Sequence, residues 1–413
     1  MKLNSVQLEQ VDKQVKRILA SDSYYGKILK EAGVTGVNSQ EDFEKIPFSS
    51  KDDLRNAYPL GIQVPPDEEI VRIHSSSGTT GRPVIIPYTK KDVDDWAIMF
   101  ARCYETAGVT KNDRIQITPG YGLWTAGIGF QAGCEKLGAM AVPMGPGNTD
   151  KQLQMMIDLG ATVLTATSSY ALLLAEEIDK RGIGDKIHLK KGIFGSERWS
   201  EKKREYIREK LGIELYDIYG LTEIYGPGIG ISCDAQCGMH YWDDYIYIEI
   251  IDPKTGKPVP DGQEGEIVIT TLVKEGAPLI RFRTHDISRI IPGECPCGRK
   301  HPRLDIIKGR SDDMFKVHGV NMFPSQVEEL LSLVDGVSSE YSINIAHDEP
   351  RNKDVMLVTV EAEGRVDFER TGLRIKELFK SRIGVTPKIT VVPVGTLPRS
   401  EKKTQRVIDH REH

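Results

Sequence analysis

Residues 70–89 read IVRIHSSSGTTGRPVIIPYT, in which two β-branched runs flank a loop of five hydroxyl residues and two glycines. From this stretch to about residue 193, further β-branched runs alternate with helical stretches such as residues 151–159 and 170–181. Strands that alternate with helices are typical of an α/β fold, in which helices flank a largely parallel sheet. The sequence therefore predicts an α/β domain that contains this loop.

The segments on either side of this region have different patterns. Residues 1–70 carry apolar residues at near-helical spacing, which predicts helices with one buried face. Farther along, two apolar runs enclose a loop rich in proline and glycine, which predicts an antiparallel β subdomain at about 241–308. We predict a large N-terminal domain of residues 1–309, a hinge at 310–313 and a small, mobile α+β C-terminal domain of residues 314–413.

Composition and charge narrow the classes of function. A chain of 413 residues is long enough for two or three domains, each with its own core. Its net charge is −5 with both signs interspersed, and the absence of a dense basic cluster argues against nucleic acid as a partner. No apolar stretch approaches the roughly 20 residues that cross a bilayer, and the N-terminus lacks the pattern of a signal peptide. We expect a cytoplasmic protein without membrane partners.

The loop between the two β-branched runs has the chemistry of a phosphate site. Its hydroxyl groups and glycine-rich backbone N–H groups are donors that phosphate oxygens accept. Neither the Walker A spacing nor the dinucleotide-binding glycine pattern is present, and a plain surface loop of serine and glycine explains the composition as well. The candidate phosphate ligands are Ser75, Ser76, Ser77, Gly78, Thr79 and Thr80.

The motif SSSGTTGRP at 75–83 resembles the phosphate-binding signature of the adenylate-forming superfamily of acyl-CoA synthetases, adenylation domains and luciferases. Together with DIYGLTE at 217–223 and LPRSEKKTQRV at 397–407, it resembles the phenylacetate-CoA ligase family in particular. This resemblance implies an ATP-dependent acid–CoA ligase. Such an enzyme converts an aryl acid such as phenylacetate and ATP to acyl-AMP and pyrophosphate, and then forms the thioester with coenzyme A and releases AMP.

Adenylation brings an anionic carboxylate to an anionic α-phosphate, so catalysis needs cations where negative charge accumulates. The resemblance implies that Lys403 bridges the α-phosphate and the acyl carboxylate. It also implies that Thr222 contacts phosphate and that Glu223 binds Mg²⁺. Because Lys402 stands where glycine is usual in the family, Lys402 competes with Lys403 for the catalytic role.

The same resemblance implies the remaining nucleotide contacts. Tyr219 stacks on adenine, Asp286 accepts hydrogen bonds from the ribose hydroxyls, and Arg310 reaches ribose or phosphate. Asp312 lies at the matching place in the hinge. Further expected ATP or AMP ligands are Asp217, Gly220, Gly195, Ser196 and Glu197.

Aromatic residues in the stretch 121–127 are candidates for the acyl pocket. The resemblance places that pocket around this stretch, where Tyr121 and Trp124 would suit a flat ring. Packing of the same rings in the core is an equally good interpretation of the pattern.

Four cysteine and histidine residues suggest a metal site: Cys233, His240, Cys295 and Cys297 offer three sulfurs and one imidazole. Zn²⁺ favours four such ligands in tetrahedral geometry, although free buried cysteines are the alternative. Some members of the family resemble the chain here, and a site closed by four protein ligands implies structural zinc. Cys237 could replace Cys233, and His301 is a weaker substitute.

Three rival functions remain open at this point. The same adenylate could pass to a carrier protein or a deazaflavin cofactor instead of coenzyme A. A nucleotide-binding protein that has lost turnover is the non-enzymatic alternative. A homodimer is compatible with every one of these interpretations.

Overall fold

The structure is a computed structural model that describes residues 2–76, 82–197, 199, 201–313, 315–317, 320–348, 353–399 and 406–411. The chain divides into two compact units. The first consists of Met1–Ala166, His188–Ser196 and Leu215–Ile307, and the second of Thr167–Ile187, Glu197–Glu214 and Lys308–His413. The predicted hinge at 310–313 remains a prediction.

Helices and strands alternate through most of the chain. The α-helices are α1 (Ser5–Ala20), α2 (Tyr24–Glu31), α3 (Gln40–Lys45), α4 (Lys51–Asn56), α5 (Lys90–Thr106), α6 (Thr125–Leu137), α7 (Thr149–Asp158), α8 (Ser168–Arg181), α9 (Glu201–Leu211), α10 (Pro324–Ser332) and α11 (Phe368–Arg382). The β-strands are β1 (Ile70–Ser75), β2 (Ile85–Thr89), β3 (Arg114–Ile117), β4 (Met140–Pro143), β5 (Val163–Thr167), β6 (Lys191–Gly195), β7 (Glu214–Leu221), β8 (Gly226–Ser232), β9 (Met239–Tyr241), β10 (Ile246–Ile251), β11 (Gly265–Thr271), β12 (Phe282–Ser288), β13 (Ile290–Ile291), β14 (Arg303–Leu304), β15 (Gly309–Arg310), β16 (Phe315–Val317), β17 (Val320–Met322), β18 (Val337–Asp348), β19 (Lys353–Ala362), β20 (Lys388–Pro393) and β21 (Val407–Asp409).

The predicted N-terminal helices form, and local signals explain where they start. Asn4 and Gln7 make a reciprocal capping box at the start of α1, which satisfies backbone N–H groups that the helix leaves unpaired. Val11, Val15 and Ile18 are fully buried on one face of this helix. The apolar spacing in the sequence therefore marks the face that packs into the core of the first unit.

A nine-stranded sheet is the centre of the first unit. Its strand order is β13-β14-β9-β8-β7-β6-β5-β3-β4. β3 pairs in parallel with β4 and β5, whereas β8 pairs antiparallel with β7 and β9. The predicted α/β fold with a large parallel region flanked by helices is confirmed.

The first two strands, β1 and β2, depart from that prediction. They pair with each other in antiparallel register and form a separate two-stranded sheet. A parallel crossover needs a dozen or more residues, and the loop of nine residues between Ser75 and Ile85 is too short for one. The phosphate loop of the sequence therefore connects the strands of a hairpin.

The predicted antiparallel β region follows the large sheet. β11 pairs antiparallel with β10 and with β12. Every residue of β10 and β11 is buried, so the first unit covers both faces of this pair. A register shift in the pairing of β11 with β12 lies next to His285, whose φ of 65° favours glycine.

The second unit has its own hydrophobic core. β18 pairs antiparallel with β19 and parallel with β21, and β20 adds to β19 in parallel. Ile343, Ile345, Val358 and Val360 are fully buried in this sheet, against which Phe379 of α11 packs. The predicted α+β architecture of the C-terminal region is confirmed. Within the described residues, no helix combines the length and apolarity of a membrane span.

Candidate active site

The ends of two strands in the first unit bring a tyrosine and an aspartate together. The Tyr219 hydroxyl, on β7, donates a hydrogen bond of 2.7 Å to Asp286 Oδ2, on β12. Both residues are 8% exposed. The two side chains that sequence analysis assigned to adenine and to ribose are therefore neighbours, although 67 residues separate them in the chain.

The turn between β7 and β8 carries the predicted phosphate and magnesium ligands. Thr222 Oγ1 lies 3.4 Å from Thr125 Oγ1 at the start of α6. Glu223 is only 5% exposed, and the Lys51 ammonium lies 3.0 Å from Glu223 Oε1. That contact is outside hydrogen-bond geometry, so Oε1 has no hydrogen-bond partner among the described residues. A buried carboxylate oxygen of this kind fits a cation.

Gly220, directly after Tyr219, lies where β7 and β8 approach each other closely. A Cβ atom at Gly220 would lie 2.0 Å from the Gly226 carbonyl oxygen and 2.5 Å from Pro227 Cα. Only glycine permits this approach of β8 to β7. The predicted nucleotide contact of Gly220 stays a prediction.

The phosphate loop is held at its two ends by Ser75 and Ser76. The Ser75 N–H donates to the Leu123 carbonyl at 2.8 Å. Ser76 N–H donates to the Val84 carbonyl at 2.9 Å, and the Val84 N–H donates to Ser76 Oγ at 3.0 Å. These two serines close the hairpin loop. Ser77, Gly78, Thr79 and Thr80 lie outside the described residues.

The predicted acyl-pocket residues lie on the segment that contacts Ser75. The Tyr121 ring packs closely against Gly127, because a Cβ atom at Gly127 would lie 2.7 Å from the ring. The Tyr121 hydroxyl has no hydrogen-bond partner among the described residues. Trp124 precedes α6 and is 43% exposed, whereas Trp96 and Trp242 are 1% exposed. An exposed tryptophan beside the phosphate loop is available for contact with a ligand.

A lysine that sequence analysis did not single out lies next to the Glu223 turn. Lys274 is fully buried, donates to the Ile224 carbonyl, and places its ammonium 4.5 Å from the Tyr88 ring centroid and 4.7 Å from that of Tyr225. Burial lowers its pKa from 10.5 to about 7, although Asp92 and Glu223 favour the charged form. Lys274 therefore fixes the backbone immediately after Glu223.

His74 is a second buried polar residue near the phosphate loop. Its Nδ1 lies 3.2 Å from the Leu123 carbonyl oxygen, which can only accept, so Nδ1 carries the proton. Burial lowers its pKa from 6.5 to about 4, and Nε2 is buried without a partner among the described residues. Neutral His74 thus keeps an unused hydrogen-bond acceptor directly before Ser75.

The other predicted nucleotide ligands are distributed over both units. In the first unit, Gly195 ends β6, where an added Cβ atom would lie 2.5 Å from the Ile218 carbonyl oxygen. Ser196 has a φ of 69°, and the Asp217 N–H donates to Ser232 Oγ at 2.9 Å. In the second unit, Glu197 Oε2 accepts from the Ser169 N–H at 3.0 Å, at the start of α8. The Glu197 carboxylate is thus engaged by α8.

The predicted hinge residues of the second unit contact each other. Arg310 donates two hydrogen bonds of 2.8 Å to the Asp312 carboxylate. The two candidates for the catalytic lysine, Lys402 and Lys403, lie outside the described residues. Their assignment stays a prediction.

The cysteine and histidine cluster assembles within the first unit. Ligand atoms of Cys233, His240, Cys295 and Cys297 all lie within 4.8 Å of one another. Cys233 Sγ is 3.6 Å from Cys295 Sγ, and His240 Nε2 is 3.2 Å from Cys297 Sγ. A tetrahedral site with Zn–S bonds of about 2.3 Å separates its sulfurs by about 3.8 Å. The four residues therefore fit a zinc ion.

The hydrogen bonds around the cluster select its ligand atoms. His240 Nδ1 donates to the His301 carbonyl at 2.7 Å, which leaves Nε2 free to face the sulfurs. Cys237 Sγ accepts from Arg303 at 3.0 Å and lies 3.3 Å from Cys295 Sγ. The His301 ring is instead paired with Asp243 at 2.7 Å. The geometry favours Cys233 over Cys237 as the fourth ligand.

Lys51, His74 and Lys274 were not predicted as site residues, although His74 lies in the quoted stretch 70–89, directly before the phosphate loop. Lys274 carried a signal, since it interrupts the apolar residues around it in TTLVKEGAPLI at 270–280. A charged residue in such a run is either exposed at a turn or buried for a reason. Lys51 is the first residue of α4, and nothing in the sequence indicated its contact with Glu223.

Comparisons with known proteins identify the family of the chain. Residues 6–272 match the AMP-binding enzyme family, and residues 319–411 match the AMP-binding enzyme C-terminal domain. The chain is 40% identical to a phenylacetate-coenzyme A ligase of Pseudomonas putida, over 99% of this chain and 94% of the relative.

Two solved structures of one enzyme are similar to the chain. A 2-hydroxyisobutyryl-CoA ligase in the postadenylation state, with a bound acyl-AMP, is 28% identical and superposes with a TM-score of 0.89 over 98% of this chain and 89% of that one. The same ligase in the thioesterification state is 29% identical, with a TM-score of 0.72 over the same shares. The chain belongs to the AMP-binding enzyme family, in the branch of the phenylacetate-coenzyme A ligases.

Proposed function

We propose that this AMP-forming acid–CoA ligase activates an aryl acid such as phenylacetate and transfers the acyl group to coenzyme A. The observation that carries the proposal is the 2.7 Å contact between Tyr219 and Asp286, beside the turn that bears Thr222 and Glu223. An aromatic ring and a carboxylate that meet from the ends of two strands suit a nucleoside, which offers a flat base and two ribose hydroxyls.

The proposed reaction has two steps. In the first, a carboxylate oxygen of the acid attacks the α-phosphorus of ATP, and the bond from that phosphorus to the bridging oxygen breaks to release pyrophosphate. In the second, the sulfur of coenzyme A attacks the acyl carbon, and the bond from that carbon to the AMP oxygen breaks. The thiol proton leaves to solvent, and AMP departs.

Residues of the first unit would carry the nucleotide. Tyr219 supplies the face for adenine while its hydroxyl orients Asp286, whose second oxygen accepts from ribose. Thr222 and the serine loop donate to phosphate oxygens. Glu223 would hold Mg²⁺, which neutralises phosphate charge when bound. The Lys51 ammonium, 3.0 Å from Glu223 Oε1, places a positive charge beside the same carboxylate.

The catalytic cation comes from the C-terminal region. We assign this role to Lys403, because its register within LPRSEKKTQRV matches the family's lysine, and we keep Lys402 as the competitor. A lysine ammonium between the acyl carboxylate and the α-phosphate would offset the charge that accumulates as the two anions approach.

We also propose that Cys233, His240, Cys295 and Cys297 hold a structural Zn²⁺. Four protein ligands leave no open coordination place for water or substrate, so the ion would stabilise the turns after β8 and β13 rather than act in chemistry. Cys295→Ser is expected to abolish zinc binding and lower the midpoint of thermal unfolding.

Cys237→Ser is the matched control, because Cys237 lies beside the cluster and its sulfur accepts a hydrogen bond from Arg303. Zinc content measured by atomic emission on both purified variants decides the ligand set. Retention of zinc by Cys295→Ser, or its loss only in Cys237→Ser, would contradict the assignment.

The proposed activity is tested by product analysis with the intact chain, ATP, Mg²⁺ and a panel of aryl, aliphatic and amino acids. We expect AMP and a CoA thioester to form only when both an aryl acid and coenzyme A are present. A carrier-protein or deazaflavin ligase would release no AMP with coenzyme A. A non-catalytic protein would bind ATP but convert no acid on the panel.

Three further expectations rest on the sequence. The hinge at 310–313 would let one active site serve both steps, since adenylation and thiol attack need different groups around one intermediate. A cytoplasmic location and a homodimer remain predictions.

A further inference from the structure

Arg399 is held by two carboxylates of the second unit. It donates to Glu361 at 2.9 Å through both terminal nitrogens, and to Glu176 at 3.1 and 2.9 Å. The Glu361 side chain on β19 is fully buried, and the Arg399 side chain is 10% exposed. Glu176 lies on α8 and is 24% exposed. We name this group the Arg399 clamp.

A second arginine of the same unit is held in a similar way. Arg406 donates two hydrogen bonds of 2.9 Å to Glu340 and one of 3.0 Å to the Tyr341 carbonyl. Glu340 also lies 3.0 Å from the Lys203 ammonium on α9, and both side chains are at most 4% exposed. Burial alone would raise the pKa of Glu340, but Lys203 and Arg406 lower it to about 2. We name this group the Arg406 clamp.

The two clamps stand immediately before and after residues 400–405, which include both candidates for the catalytic lysine. A bidentate arginine–carboxylate pair fixes orientation as well as distance, because the planar guanidinium matches the carboxylate. Two such anchors fix Arg399 and Arg406, the described residues at the two ends of that segment. A catalytic group must be held within a fraction of an ångström of its productive geometry.

We propose that the two clamps position the catalytic lysine for adenylation, and that their contacts with Glu176 and Lys203 are released before thioester formation. The inference rests on the proposed function. Glu361 and Glu340 lie on β19 and β18, after the predicted hinge, so these contacts move with the lysine segment. Glu176 and Lys203 lie on α8 and α9, before the predicted hinge. Their contacts with Arg399 and Glu340 therefore join residues on opposite sides of the hinge in the sequence and belong to one conformation of the hinge.

The 2-hydroxyisobutyryl-CoA ligase has been captured in both a postadenylation and a thioesterification state. A protein that alternates between two conformations needs contacts that stabilise the first conformation and can still break when the second one forms. Glu176, the most exposed of the clamp carboxylates, satisfies the second requirement. Its contact with Arg399 can exchange for water at a smaller desolvation cost than that of Glu361.

Separate assays of the two half-reactions test the inference. Glu176→Gln removes one charge and leaves the Arg399–Glu361 pair in place. We expect acid-dependent exchange of pyrophosphate into ATP to fall about 10-fold, as the loss of a charged hydrogen bond predicts. Thioester formation from chemically prepared acyl-AMP and coenzyme A should stay within about twofold of the wild-type rate. Lys203→Met should give the same split.

Glu177→Gln is the matched control, because Glu177 is the next residue on α8 and pairs with Arg181 and Lys180 of its own helix. It should change neither half-reaction. Equal losses in both half-reactions of Glu176→Gln, or no loss in either, would overturn the proposal. Absence of exchange in the wild-type chain would instead refute the proposed function, so the two failures are distinguishable.

Discussion

The charged groups of the nucleotide site in the first unit and those of the clamps in the second unit are similarly buried but differently partnered. Glu223 and Glu340 are 5% and 3% exposed. Glu340 is paired with two cations at 2.9 to 3.0 Å. Glu223 Oε1 has one cation, Lys51, at 3.0 Å, and neither this oxygen nor His74 Nε2 has a hydrogen-bond partner among the described residues. Lys274 donates to a neutral carbonyl.

From this difference we expect the ligand at the first-unit site. A buried polar group without a partner costs about 1–3 kcal/mol, and such groups persist where something else completes them. The clamps are complete within the protein and can therefore position a segment. The first-unit site is incomplete, as expected of a surface that ATP and Mg²⁺ would fill.

The largest expected effect comes from the lysine between the clamps. Lys403→Ala should lower acid-dependent pyrophosphate exchange by about 10²–10³-fold, the range for loss of one preorganised group that stabilises developing charge. Lys402→Ala is the matched control and should retain most exchange. A larger loss in Lys402→Ala would move the catalytic role by one residue and leave the clamps unchanged.

A smaller effect is expected from the nucleotide site itself. Asp286→Asn keeps an acceptor for Tyr219 but removes the negative charge that ribose hydroxyls would meet. We expect kcat/KM for ATP to fall about 10- to 100-fold, as for loss of a hydrogen bond to a charged group. Asp244→Asn, which affects a surface pair with Arg102, is the control and should leave kcat/KM unchanged. Equal kinetics of both variants would contradict a ribose role for Asp286.

The smallest expected effect concerns the pH dependence of stability. Burial lowers the pKa of Lys274 from 10.5 to about 7, so the unfolded chain holds an extra proton between these values. The stability gained through Lys274 is complete above the unfolded-state pKa of 10.5 and is lost as pH falls towards the folded-state pKa of about 7. The free energy of unfolding should rise by roughly 2 kcal/mol between about pH 7 and 8.5 through this group.

Lys274→Met removes that rise and keeps the buried stem. Urea unfolding of the full chain, followed by tryptophan fluorescence across this pH range, measures the difference. Lys90→Met is the control, because Lys90 is exposed and pairs with Asp94 on its own helix. A slope in Lys274→Met equal to that of the wild type would show that the buried ammonium stays charged.

The sequence predicted those features that depend on local pattern. Alternation of strands and helices predicted the α/β unit, and the strand-end tyrosine with its following turn predicted the groups that now lie near Asp286. The motif also placed Ser75 and Ser76 at a phosphate loop. The α/β prediction was confirmed because the strand and helix patterns are each encoded within a short stretch of sequence, whereas the roles of these site residues stay predictions.

Features that depend on tertiary packing could not be predicted in this way. β1 pairs antiparallel with β2 because the loop between them is too short for a parallel crossover. The pattern of β-branched residues alone does not show this. Lys274 and Lys203 resemble surface charges until the elements packed around them are known. The Arg399 clamp joins residues 223 positions apart, so no sequence window contains it.

The most direct test of the account is exchange of labelled pyrophosphate into ATP by the purified full chain, with Mg²⁺ and without coenzyme A. We predict that exchange depends on an aryl acid, with phenylacetate among those that stimulate it, and that Asp286→Asn weakens it. ATP binding without exchange for any acid tested would contradict the central claim that the first-unit site forms an acyl-adenylate.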